Sequence, residues 1–335
     1  MGYGTYSTAA YTAGTKAKID SGTNFAYDRT VRSTGNYKAH EILDPTKKNA
    51  AGLNIRESRD RGDEESLPII VGFDVTGSNI STARIVQKKL SNLFGLLIRK
   101  GYTGEQAPQI GFSAYGDANT DRVPLQVSQL EADNKSDDAL DKLFLEGNGG
   151  GNGAETASLL WYYINNHVVT DAWEKRGKKG YFFLIADEIS AGLRPAQVQK
   201  FVGADEAPAQ DKLTVKHLAE ELSKKWEVFV LLVDNSTARL QGSQKFYSDL
   251  FGTDRVIPLE SDETVSEMIG AVIGRFENDD LDDDELVEDL VSEGATKAVA
   301  QATASAVSRI SGNPTGSVAR TNVRVNGIDP NVFFV

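Results

Sequence analysis

The sequence predicts an α/β protein, a doubly wound and mostly parallel sheet with one short antiparallel edge strand and helices on both faces. Three observations predict it. Residues 67–73, 180–186 and 226–233 are short, nearly unbroken apolar runs, the pattern of strands buried on both faces. Segments with apolar residues at helical spacing separate these runs, so strand and helix alternate along the chain. The first two runs end in carboxylates, Asp74 and Asp187, which puts both acids at one edge of the sheet.

Taken in order, residues 1–65 read as a polar, mildly basic N-terminal arm. Residues 1–60 carry nine Lys/Arg against six Asp/Glu, are rich in Gly, Ser, Thr, Asn and Tyr, and show no long apolar period. The expectation there is extended or partly disordered chain, with tyrosines available for docking. A single domain is expected over 66–277. After the first strand and the turn at 74–78, a helix starts near Ile80, with Val86, Leu90, Leu93 and Leu97 on one face. Residues 109–116 alternate like a strand, and 122–127 follow after a turn, with Pro124 marking an edge strand. Helices are expected at 133–145, after 156 (with Leu159, Leu160, Tyr163, Ile164 and His167 near one face), and at 209–224, 238–250 and 262–276. A short last strand is expected at 255–259.

Beyond the domain lie an acidic linker at 278–293, an Ala-rich helix at 294–310 and a C-terminal tail at 311–335. The linker holds nine acids and no base. It is no EF-hand, because the central Gly is missing. The Ala-rich helix is too small-sided for a core of its own, and suits packing on a partner or a homo-oligomer.

Composition excludes several classes. The net charge is 36 − 48 = −12, which disfavours binding to phosphate backbones, so no nucleic-acid partner is expected. No run of 18 apolar residues exists, so no membrane span is expected, and the N-terminus lacks the pattern of a signal peptide. Without cysteine there is no disulfide, zinc-thiolate or thiol chemistry. A cytoplasmic location is the simplest reading. The three histidines, His40, His167 and His217, stand far apart, and neither a nucleophile elbow nor a kinase set appears, so no enzyme is expected. The Arg61-Gly62-Asp63 triplet is of a kind that arises often by chance.

Asp74, Thr76 and Ser78 stand at alternate positions of a tight turn, and present three oxygens to one point. Hard cations such as Mg²⁺ take such ligands and keep waters for the rest of their shell. The plain alternative is that Asp74 and Ser78 cap the following helix. Residues 146–156 form a second loop, Glu-Gly-Asn-Gly-Gly-Gly-Asn-Gly-Ala-Glu-Thr, leading into a helix. It lacks the Lys-Ser/Thr of a P-loop, and Glu155 would repel a phosphate there.

Asp74-x-Thr76-Gly77-Ser78 resembles the first metal loop of von Willebrand factor type A domains, whose usual form is Asp-x-Ser-x-Ser. The loop running from Gly149-Gly150-Gly151 to Glu155 is similar to the second metal loop of some prokaryotic members. Asp187 matches the last loop, although Glu188 replaces the usual Gly. The resemblance covers about residues 67–277. It implies a metal-ion-dependent adhesion site (MIDAS) holding Mg²⁺, or Mn²⁺ or Ca²⁺, on Asp74, Thr76, Ser78 and Asp187. Asn152 and Thr156 remain alternatives for the ligand from the second loop. It further implies a protein-interaction module whose cation accepts an Asp or Glu from a partner, in a larger intracellular assembly, beside an AAA-type ATPase or a kinase. Two other readings are a self-assembling structural protein of a bacterium or phage, and a metal-dependent hydrolase.

Overall fold

Side chains alternate across a strand, so each buried strand feeds two cores. In the computed structural model, which describes residues 4–49, 51–77, 80–147, 154–233 and 237–310, strand β1 (Ser66–Asp74) is buried along its whole length. Leu67, Ile69, Val71 and Phe73 enter one core and Ile70 the other. The further strands are β2 (Ala107–Tyr115), β3 (Leu125–Val127), β4 (Gly180–Ala186), β5 (Trp226–Val233) and β6 (Val256–Leu259). Their order in the sheet is β6-β5-β4-β1-β2-β3. Every neighbouring pair is parallel except β2 with β3, where Ser113 faces Val127 and Tyr115 faces Leu125. This is the expected sheet, including its antiparallel edge.

Helices α1 (Ile80–Phe94) and α5 (Val265–Glu277) cover one face, through Val86, Leu90, Leu93, Ile269 and Val272. Helices α2 (Ala157–His167), α3 (Val215–Lys225) and α4 (Thr237–Phe251) cover the other, through Leu160, Ile164, Leu218, Leu222 and Tyr247. The close approach of α2 to β1 depends on Gly72, where an added Cβ would stand 2.6 Å from Leu160 Cδ2. The chain leaves β1 through α1 to reach β2 on one side. It comes back through α2, on the opposite face, to reach β4 on the other side. The strand order therefore reverses between β1 and β4, and the loops leaving their carboxyl ends part to opposite faces. Such a crevice is where doubly wound sheets bind ligands. Among the described residues no helix is long and apolar enough to cross a membrane.

The flanks differ from the sequence reading. The arm is not extended: it forms a helix at Ala26–Thr34 and shorter helical turns from Thr8 to Asp20. Tyr6 stacks on Phe94 with ring centroids 4.0 Å apart, and the Tyr11 hydroxyl donates to the carbonyls of Gln87 and Lys88. Phe25 and Leu43 are fully buried. The acidic linker is also helical, as α6 (Asp283–Ser292). Its first-turn acids favour the positive helix start, the Asp282 carboxylate accepts from Glu285 N–H at 2.8 Å, and Leu286 and Leu290 are buried. The Ala-rich helix α7 (Lys297–Val307) turns Ala300, Ala304 and Val307 into the same core as α5, so this face is already used within the chain. The helix expected at 133–145 is limited to Lys135–Asp141. The tail lies outside the described residues.

If the arm is part of the core, Phe25→Ala will lower unfolding stability by about 3 kcal/mol, the usual cost of such a cavity. Ile42→Ala, at an exposed position of the same arm, will change it by less than about 0.5 kcal/mol. Urea unfolding of the two variants checks this. Equal, small effects would mean that the arm is not packed.

Candidate metal centre

Three loops meet at the carboxyl edge of the sheet. The first follows β1. Asp74 is its last residue, 2% exposed, and its Oδ1 accepts from Thr76 N–H at 2.8 Å and from the Thr76 hydroxyl at 2.7 Å. Gly77, at φ +38°, turns the chain away in a conformation that side chains disfavour. The second loop enters α2. Ala154–Glu155 pairs in parallel with Ile189–Ser190, and Ala191 N–H donates to the Glu155 carbonyl at 2.7 Å. That short ladder ties the second loop to the third. It also points the Glu155 side chain at the first, where Oε1 lies 3.1 Å from the Thr76 hydroxyl. The third loop follows β4. Asp187 is 6% exposed, with its backbone held by the Ser243 hydroxyl, which donates to the Asp187 carbonyl at 3.0 Å. The Tyr247 hydroxyl donates to the next carbonyl, of Glu188, at 2.9 Å.

The predicted ligands fare differently. Asp74 and Thr76 are joined directly, and the Asp187 charge acts on the Asp74 carboxyl. Thr156 is fully buried at the start of α2, but its hydroxyl is engaged elsewhere. It donates to Asp117 Oδ1 at 3.2 Å and accepts from Ala118 N–H at 3.0 Å. Ser78 and Asn152 lie outside the described residues. Glu155 was noted in the sequence as the end of the second-loop motif and as a residue that would repel phosphate, but not as a ligand, and Arg239 not at all. The Arg239 guanidinium reaches from α4 to within 3.3 Å of Glu188 Oε1 and 3.7 Å of Asp187 Oδ2, at the rim. His167 closes α2, about 16 Å along the helix axis from Thr156. Its Nδ1–H donates to the Asn54 carbonyl, at 2.7 Å.

Burial and like charge raise the carboxyl groups at this edge. Burial, then the charges of Glu155 and Asp187, pushes the Asp74 carboxyl well above the usual range. Burial, then Asp121, pushes Glu155 up to about 7. The Thr76 hydroxyl has one proton for two carboxylates, so without a cation one of the contacts needs a proton of its own. Among the described residues no three Asp, Glu, His or Cys groups form a closed metal cage. What converges is two carboxylates and a hydroxyl, a set that leaves positions for water, as Mg²⁺ prefers. The fit to a cation rests on Glu155 Oε2. This oxygen is buried and has no hydrogen-bond partner among the described residues.

No protein-family model matches the chain, and no curated protein matches it. Solved structures similar to it include the pilus adhesin SpaC from Lactobacillus rhamnosus GG in its open conformation. The identity there is 11%, over 66% of this chain and 31% of that one, with a TM-score of 0.42. Proximal thread matrix protein 1 from the mussel byssus is similar at 13% identity, over 63% of this chain and 48% of that one, with a TM-score of 0.41. The same protein with a zinc-occupied MIDAS motif gives a TM-score of 0.39. The chain thus spans less than half the length of these structures. The doubly wound assignment rests on strand order and register, not on these likenesses.

A carboxyl group raised in the folded state makes a contribution that is full below its unfolded value, near 4.5 for Glu155. That contribution is lost as pH rises through the folded value, about 7. Asp74 shifts in the same direction. The metal-free protein will therefore melt lower at pH 7.5 than at pH 5.5, and millimolar Mg²⁺ will shrink that difference. Thermal melts in EDTA and in Mg²⁺ at both pH values test this; a metal-free melting point independent of pH would contradict it.

Proposed function

We propose that this chain is a metal-dependent protein-interaction module, with a divalent cation at the carboxyl edge of β1 accepting a carboxylate from a protein partner. The observation that carries the reading is the buried Asp74–Thr76 pair at the point where the strand order reverses, with the charges of Glu155 and Asp187 converging on the Asp74 carboxyl. Asp74 and Thr76 hold the cation, Ser78 joins them from the same turn, and Asp187 contributes charge from β4. When bound, the cation supplies an electrophilic centre for one external oxygen ligand. The residues of the chain do the rest. Asp74 fixes the Thr76 hydroxyl, and Ser243 and Tyr247 hold the 187–188 loop in place. Mg²⁺ is the ion this oxygen set suits, with Mn²⁺ or Ca²⁺ as substitutes. Membership of a larger assembly, beside an AAA-type ATPase or a kinase, belongs to the same proposal.

Asp74→Asn keeps an oxygen for the Thr76 donors and removes the charge. Without metal its melting point will equal or exceed that of the wild type, because one of several mutually repelling carboxylates has gone. Wild type in Mg²⁺ at a hundred times Kd will gain about 2.7 kcal/mol, and the variant none. In pull-downs with and without Mg²⁺, wild type will hold a partner only with the ion and Asp74→Asn not at all. Retention of every partner by Asp74→Asn at full yield would sink the metal-bridged mechanism.

A further inference from the structure

The MIDAS resemblance puts the second-loop ligand at Asn152 or Thr156, but the geometry at that loop favours a different residue. Thr156 already donates to Asp117 and accepts from Ala118, and its backbone N–H donates to the Gly116 carbonyl at 3.2 Å. Its hydroxyl faces the loop after β2. Glu155, one position earlier in the two-residue strand, faces the first loop instead. It is 6% exposed, with one carboxylate oxygen against Thr76 and the other buried without a partner among the described residues. An anionic oxygen is rarely left so in a folded protein, because desolvation without a compensating contact is costly. Among the described residues, the charges that act most strongly on it, from Asp121, Asp117 and Glu188, are negative. A cation is the missing partner of the right sign.

We propose that Glu155 is a direct ligand of the divalent cation, completing an inner set of Asp74, Thr76 and Glu155, while Thr156 is a positioning residue that anchors the second loop to the loop after β2. This rests on the metal reading of the preceding subsection. Two carboxylates then neutralise the ion, and the Thr76 hydroxyl turns a lone pair to it while keeping its proton for a carboxylate. The short ladder between Ala154–Glu155 and Ile189–Ser190 has a purpose in this arrangement. It fixes the alternation, so that the carboxylate and not the hydroxyl faces the site.

The test is Mn²⁺ titration of the full chain, with free ion read by electron paramagnetic resonance, for wild type, Glu155→Gln and Thr156→Val. Metal-free thermal melts of each variant serve as the fold check. Glu155→Gln is expected to weaken Mn²⁺ binding at least about tenfold, since even residues behind a ligand cost that much. Its metal-free melting point should stay at or above that of the wild type, whereas Thr156→Val, which removes the anchor of the second loop, should lower the metal-free melting point and weaken Mn²⁺ binding less than Glu155→Gln does. If wild type binds Mn²⁺ and Glu155→Gln binds it equally well, this assignment is overturned while the metal reading stands. A loss in Thr156→Val with none in Glu155→Gln would overturn it in favour of the threonine. Absence of Mn²⁺ binding by wild type would overturn both readings together.

Discussion

The site is organised around two buried carboxylates that share one threonine hydroxyl. Asp74 and Glu155 both reach Thr76, in a space from which water is largely excluded, with Asp187 near enough to raise the Asp74 carboxyl further. Nothing in the apolar core requires such a group of charges, and desolvation alone argues against it. The cluster persists because each acid sits at the end of a separately stabilised element: a nine-residue strand, a two-residue ladder and a seven-residue strand. The hydrophobic cores on both faces of the sheet hold these elements in place. In physical terms, the cores offset the cost of holding like charges together.

Much of the remaining chain steadies the loops that carry these acids. The Tyr115 hydroxyl donates to the Ile185 carbonyl at 2.8 Å, joining β2 to β4 across β1 just below the site. Asp28, from the N-terminal arm, accepts from Leu145 N–H at 3.0 Å, and Phe25 N–H donates to Asp141 at 2.7 Å. The arm thus fixes the residues that lead into the glycine-rich loop. At the other end of the molecule, Arg99 pairs with Glu293 and Lys100 with Asp289 at 3.0 Å, clasping α6 to the end of the first helix. Rigid supports around a loop are what binding sites on α/β sheets need, because the loops themselves contribute little packing.

The parts of this arrangement that sequence could disclose are those with a short period. Residues 67–73 and 226–233 announce buried strands without ambiguity, and Asp74 and Asp187 follow because each ends such a run. Glu155 could not be placed, since a shift of one residue in the register of a two-residue strand decides whether it or its neighbour faces the first loop. The glycines before it offer no pattern to set that register. Phe25 and Leu43 were hidden for another reason: each is a single anchor in polar sequence, and burial of single residues leaves no period. The acidic stretch misled in a third way, because its charges outnumber Leu281, Leu286 and Leu290. Those three leucines define its buried side, and the acids of its first turn stabilise the helix start.

The central claim is that a divalent cation, not shared protons, holds the carboxylates at the carboxyl edge of the sheet. Diffraction from Mn²⁺-soaked crystals at the manganese absorption edge measures this most directly. The account predicts one anomalous peak bounded by Asp74, Thr76 and Glu155, with Asp187 close by. A soaked crystal with no peak there, and with Asp74 and Glu155 still in contact with Thr76, would contradict it.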